Sequence, residues 1–424
     1  MLGEFIRNKI FWILDFIKGG KVKKYQKIIQ YTMNNKCTNY ERTDEILSYV
    51  NQNIPFYKRN NFKSFENYPV MTKKDYMQNL SDFLLDGINL NKLHKVETSG
   101  STGVPFIGYQ DKNKRIKHTA DLIYFHGKCG YKIGDKYIFL RAWTSLYNNS
   151  KLQQIKNNVI SYNVMDLSEE KIEEIVKKIK KNKKIKMILG YGSALGLIAE
   201  YLLQNNLFLK TGIKVIISDS DKLKLKHRKI LSERLNCKVV DRYSNEEHGL
   251  LAFSYDFGEP YEVNRSSYRI EILKIDSNQY AEKGEIGRIV ITDLYNKAMP
   301  LIRYDLGDLA ICDDDPRDAH FLKELQGRSA DKILRNDGVY ISSATVNNYF
   351  EALKNVKQYQ LIQKDSNSFV LKVVERNEYV YSDACYYNIL TEIFGGSCNL
   401  EVQRLLNIPL ENSGKFRPVI GIKK

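Results

Sequence analysis

"KMILGYGSALGLIAEYLL", residues 186–203, changes period partway along. Its first part is a short apolar run ending in glycines 190 and 192, whereas Ala194, Leu197, Ile198, Tyr201 and Leu202 follow at helical spacing. That is the signature of a buried strand and the helix that covers it. The alternation continues on both sides. Upstream, Asp166 or Ser168 in "DLSEE" is placed to cap a helix whose Ile172, Ile175, Val176 and Ile179 recur among lysines. Downstream, "KVIIS" (214–218) reads as a strand, about 223–236 as a lysine-rich helix, and "KVVDRYS" (238–244) as another strand. Strands and helices alternating at this pitch predict an α/β fold with a mostly parallel, doubly wound sheet. Ligands gather at the carboxyl ends of such strands, so the loops after 189, 217 and 241 are where chemistry is expected.

A chain of 424 residues with 43% hydrophobic composition can bury more than one core. A boundary falls near 326–331, in "LQGRSADKIL". Before it lie the strand "IGRIVIT" (286–292) and "MPLIRYDLGD" (299–308), the makings of a β subdomain. After it, "YQLIQ", "FVLKVV" and a helix near 382–394 predict a small α+β domain. The expected division is a large domain, 1–328, and a small one, 329–424.

Six cysteines without a C-x-x-C pair are too sparse for a disulfide framework and predict a reducing, cytoplasmic setting. The net charge of +16 comes from lysines spread along the whole chain, with no basic-aromatic stripe, so nucleic acid is not an expected partner. The N-terminal "FIRNKIFWILDFIKGGKVKK" is too short to span a bilayer and carries no small-residue cleavage site. Its helical spacing, Trp12 and basic flanks suit peripheral membrane association through residues 1–20. A helix packed on its own domain fits as well.

"ETSGSTGVPF" (97–106) combines Gly100 and Gly103 with the hydroxyls of Thr98, Ser99, Ser101 and Thr102. Such a loop can turn successive N–H groups into one concavity that surrounds phosphate oxygens. It lacks the Gly-Lys-Ser/Thr of a Walker loop and the spacing of a dinucleotide fingerprint. By itself it is more often a solvated turn.

"TSGSTGVP" is similar to the Thr/Ser/Gly loop of the adenylate-forming superfamily, and five further segments resemble that family's motifs in order. They are "SDSDKL" (218–223), "DRYSNEE" (241–247), "RYDLGD" (303–308), "GRSAD" (327–331) and "NSGKFR" (412–417). The length, "MPLIRYDLGDLA" and "YGSALGL" resemble the branch of phenylacetate-CoA ligase and the CapK-like capsular polysaccharide proteins, with the N-terminus and "KFRPVI" nearer the latter.

The resemblance implies a large ATP- and acid-binding domain followed by a mobile lid, with ATP and Mg²⁺ as cofactors. A small carboxylic acid would be joined to the α-phosphate and passed to an amino-sugar, another amine, a hydroxyl or a carrier; CoA is the alternative acceptor. Residues 98–103 would hold the β- and γ-phosphates, Glu247 the metal, and Asp308 the ribose hydroxyls with help from Arg328. Tyr243 would stack near the adenine with Asp221 close by. Lys415 would meet the substrate carboxylate and α-phosphate together, screening their repulsion. Three departures stand out: Phe106 where relatives often carry lysine, Ser244 and Glu246 in place of Gly and Thr, and Ala330 at the hinge. A nucleotide-binding scaffold that has lost catalysis is the reading from outside enzymology.

Overall fold

The computed structural model describes residues 2–422 apart from 36–38, 99–105, 144–149, 257, 329–332, 342, 352, 354, 377–379 and 412–415. The opening strand-helix segment lies at the centre of an eight-stranded sheet. Its strands β1 (Lys136–Arg141), β2 (Val159–Asn163), β3 (Ile185–Tyr191), β4 (Val215–Asp219) and β5 (Lys238–Asn245) are parallel, in the order β2-β1-β3-β4-β5. β6 (Gly249–Ser254) adds antiparallel to β5, followed by short strands 261–263 and 321–322.

Two layers of helix explain why these strands read as unbroken apolar runs. Ile188 and Ile216 point into a core shared with α4 (Glu169–Lys181), α5 (Gly192–Gln204) and α6 (Leu225–Leu235). Their neighbours Met187, Leu189, Val215 and Ile217 point the other way, into a core built with α2 (Lys21–Asn35) and α3 (Lys112–Lys128). A strand buried on both faces needs apolar residues at every position. Ser168, rather than Asp166, caps α4 by accepting from the Lys171 N–H.

The second large sheet holds β7 (Tyr268–Leu273), β8 (Ile286–Asp293) and β9 (Tyr304–Ile311), antiparallel in sequence. Strands 71–72 and 324–328 both pair with β9. Arg303, which precedes β9, has a left-handed φ of 47° and lies buried. Its guanidinium meets Glu271 at 2.9 and 3.1 Å and also donates to the carbonyls of Tyr68 (3.0 Å) and Glu66 (3.2 Å). A buried ion pair is stable only when its remaining donors are also matched. Here those donors tie β9 to the segment around residue 68.

Residues 356–420 form a separate four-stranded sheet, backed by a helix at Asp383–Phe394 and enclosing its own core from Ile333 to Val419. It touches the large sheet's layer through Arg376, which donates to Glu200 on α5 at 2.7 Å. The other Glu200 oxygen contacts His227 at 2.8 Å and Lys226 at 3.1 Å. Burial raises the Glu200 carboxyl's pKa, but the His227 hydrogen bond and the Lys226 and Arg376 charges outweigh it and hold the group well below the usual range.

Gly192 begins α5 directly beneath the loop after β4. A Cβ there would lie 2.5 Å from the Asp221 carbonyl oxygen and 2.6 Å from the Leu223 nitrogen. Both are backbone atoms and cannot swing aside. Gly192→Ala is therefore expected to lower stability by about 1–3 kcal/mol, read as a drop in urea midpoint at unchanged slope; an unchanged midpoint would show that the loop yields freely.

Candidate functional site

The carboxyl ends of β4 and β5 lie side by side because their register sets Ser218 opposite Asp241. Asp219 and Arg242 are thereby neighbours. Arg242 donates to both Asp219 oxygens, at 3.2 and 2.5 Å, and the Ser244 hydroxyl adds a third bond at 2.7 Å. Two residues on, the Asp221 carboxylate accepts the Ser193 N–H with both oxygens at 3.2 Å. The residue preceding α5, Tyr191, supplies no side-chain cap, so Asp221 reaches across from the next strand's loop to satisfy the helix start.

Tyr243 and Asp308 come from different sheets and meet at 2.6 Å, the phenol donating to the carboxylate. Arg328 stands directly across from Asp308 in the antiparallel pairing of β9 with strand 324–328. Arg141 at the end of β1 forms a 2.7 Å ion pair with Glu246. Beside it, Gln110 donates to the backbone carbonyl of Glu247 at 2.8 Å and fixes that turn. The cleft thus draws on β1, β5, β9 and the strand Phe106–Gln110.

Glu247 is half-buried. Desolvation raises its pKa, and the nearby Glu246 and Asp308 carboxylates add to the rise while Lys73 opposes it. A desolvated carboxylate beside two others offers hard oxygens of the kind that suit Mg²⁺. The residues present therefore fit that ion through Glu247, with further oxygens to come from phosphate. Among the described residues, no group of three or more His, Cys, Asp or Glu side chains forms a metal cage on its own.

Ser99, Gly100, Ser101, Thr102, Gly103, the hinge position Ala330 and Lys415 lie outside the described residues. The strands flanking the first group are clear: His94–Thr98 and Phe106–Gln110 form an antiparallel hairpin in which Thr98 pairs with Phe106. Phe106 is fully buried, its ring 5.8 Å from that of Tyr304. The position is a core position, which is a physical reason for an apolar side chain where a phosphate-contacting lysine would face inward.

Trp143 folds back over β2, its indole N–H donating to the Tyr162 carbonyl at 3.1 Å. Ala194 and Leu195 are buried in the core that α5 shares with β3 and β4. The first turn of that helix looks into the sheet. Arg242, Lys73 and Gln110 were not singled out by sequence. Arg242 could have been: it and Asp219 are opposite charges at equivalent ends of consecutive predicted strands.

Residues 333–421 match the CapK C-terminal domain family. Over 411 residues the chain is 24% identical to Protein CapK of Staphylococcus aureus, covering 90% of this chain and 88% of that one. Among solved structures it is similar to 2-hydroxyisobutyryl-CoA ligase in the postadenylation state with 2-HIB-AMP, at a TM-score of 0.69 and 16% identity over 90% of this chain and 88% of that one. It is also similar to the amide bond synthetase McbA of Marinactinospora thermotolerans, at a TM-score of 0.56 and 13% identity over 76% and 68% of the respective chains. The fold is that of the adenylate-forming ligases.

The raised pKa of Glu247 has a consequence for stability. The folded state holds that proton more tightly than the unfolded chain, so the ionised group opposes folding above its unfolded value near pH 4.3. Glu247→Gln should raise the urea midpoint at about pH 7, and the gain should shrink as the pH falls toward about 4. A gain independent of pH would assign the effect to packing instead of charge.

Proposed function

We propose that this chain activates a small carboxylic acid with ATP, forming an acyl adenylate and releasing pyrophosphate, and then passes the acyl group to an amine, hydroxyl or thiol acceptor, with AMP leaving, in surface-polysaccharide assembly. The observation that carries the reading is the meeting of Tyr243 and Asp308 beside Glu247, at the strand ends of the α/β sheet. The likeness to a CoA ligase and to an amide bond synthetase supports acid activation as the common chemistry. The match to the CapK C-terminal domain supports the polysaccharide setting.

In the reaction, the acid's carboxylate oxygen attacks the α-phosphorus and the bond to the β-phosphate oxygen breaks, with pyrophosphate leaving in line. Two anions must approach each other, so catalysis consists of positioning and charge screening. Asp308 accepts the ribose hydroxyls, and Arg328, opposite it on the neighbouring strand, supports the same sugar. Tyr243 is held by Asp308 and lies against the base, with Asp221 at the adjoining loop. Thr98 and residues 99–103 hold the terminal phosphates. Glu247 would hold Mg²⁺, which would supply positive charge to screen the phosphate oxygens. Lys415 enters from the small domain, 329–424, acting as a lid over the large domain, 1–328, and bridges the carboxylate and the α-phosphate.

A second reading is an acyl- or aryl-CoA ligase, favoured by the similarity to 2-hydroxyisobutyryl-CoA ligase. A nucleotide-binding scaffold without turnover is the third.

Pyrophosphate exchange into ATP over a panel of acids is expected to show at least one acid that supports exchange. Nucleotide binding without exchange for any acid would leave the scaffold reading in place of catalysis. Adding CoA then separates the first two readings by the presence or absence of a thioester. Lys415→Ala is expected to abolish adenylate formation while ATP affinity stays within about tenfold, because the bridging contact matters chiefly in the transition state. Unchanged turnover would remove Lys415 from the mechanism.

A further inference from the structure

The first helix, α1 (Leu2–Ile17), resolves into two unlike halves. One half is docked. Asn8 donates to the Ile133 carbonyl at 3.0 Å, and the backbone of Glu4 and Asn8 lies so close to Gly134 that a Cβ there would come within 2.9 and 3.0 Å of it. Phe11 and Trp12 pack toward the core of α2 and α3. Asp15 is buried and accepts the N–H groups of Val22 and Lys23 at 3.0 Å each, capping the start of α2. The helix is therefore fixed in place, with Gly19 and Gly20 turning the chain at positive φ between the two helices.

The other half is open. Phe5, Ile6, Ile10, Ile13, Phe16 and Ile17 share that half, and each is between 45% and 81% exposed. Leu14 on the same helix is 45% exposed as well, whereas the exposed large apolar side chains elsewhere among the described residues are scattered through the chain, which is ordinary for a protein surface. A contiguous helical stripe is not ordinary and marks a contact surface.

Charge decides which contact. Residues 1–35 carry seven basic side chains, Arg7, Lys9, Lys18, Lys21, Lys23, Lys24 and Lys27, against two acidic ones, Glu4 and Asp15. All six lysines are exposed. Lys9 lies within the apolar stripe, its ammonium 5.3 Å from the Phe5 ring centre, and Lys18 and Lys21 stand where the helix ends. A second copy of the same face would bring these cations against their own kind. A surface that is apolar beneath and anionic above matches both features at once.

We infer that α1 is an in-plane anchor for anionic phospholipid membranes, its apolar stripe entering the acyl boundary while the lysines meet the headgroups. At about 24 Å the helix is too short to cross the hydrocarbon core, and no helix among the described residues is long and apolar enough to do so. The helix is pinned beside Gly134, at the entry to β1, whereas Arg141 and the candidate cleft lie at the exit of the same strand. Anchoring in this manner leaves the cleft clear of the membrane.

The full chain is mixed with vesicles of phosphatidylglycerol and phosphatidylcholine, or of phosphatidylcholine alone, and floated. Binding is expected on the anionic vesicles, reduced at least about tenfold on neutral ones or at high salt. Ile13→Glu with Phe16→Glu, both exposed in the free chain, should cut flotation at least about tenfold while melting temperature and pyrophosphate exchange remain as in the unaltered protein. Equal flotation by the double variant would overturn the proposal. So would a dimer in light scattering that the same two substitutions dissolve, with no vesicle binding, because the face would then belong to a second copy.

Discussion

The hydrogen bond from Tyr243 to Asp308 joins two sheets that have no strand in common, and the candidate site exists only where they meet. Each partner is held from behind. Tyr243 follows Arg242, whose guanidinium is locked on Asp219 at the end of the next strand. Asp308 lies on β9, whose entry is fixed by the buried Arg303 to Glu271 pair and by the carbonyls that Arg303 also reaches. Two charge pairs therefore set the position of this contact, and the further donors of Arg303 are matched by backbone carbonyls. Pre-arrangement of this kind is what lets a site act through orientation and electrostatics.

The acidic balance of the cleft follows from the same geometry. Bringing β5 against β9 places Glu246, Glu247 and Asp308 in one neighbourhood, with Glu246 paired to the Arg141 guanidinium. The cost is stability: a carboxylate that is harder to ionise in the fold than out of it weakens the fold at neutral pH. Proteins commonly tolerate such a cost where a ligand's charge completes the arrangement.

The small domain rests on the large one through Arg376 and Glu200, a contact between an arginine that leaves one sheet and a carboxylate on a helix covering another. His227, buried beside Glu200, has its pKa lowered by desolvation, which prevails over the neighbouring carboxylate, and its Nε2 lies 2.8 Å from a Glu200 oxygen. Gly196 makes this approach feasible, since a Cβ there would lie 2.7 Å from the His227 ring nitrogen. One carboxylate thus serves the helix layer and the neighbouring domain together.

Much of the scaffold was legible in the sequence because it is governed by local period and local capping. The strand at 186–192, the helix after "DLSEE" and the run "KVVDRYS" all stand within a residue or two of their reading, since a two-faced buried strand can be built only from consecutive apolar residues. Segments that resemble family motifs could be ordered along the chain for the same reason. What the sequence left open was decided by packing between distant segments. Nothing local says that Asp221 would be engaged by the start of α5, or that Phe106 would turn into the core against Tyr304. Nor could helical spacing choose between a docked and an exposed N-terminal helix; the tertiary structure shows one face doing each, because Gly134 and α2 cover only half of it. Local period fixes which elements form, whereas the partner of each side chain depends on which elements come to rest beside it.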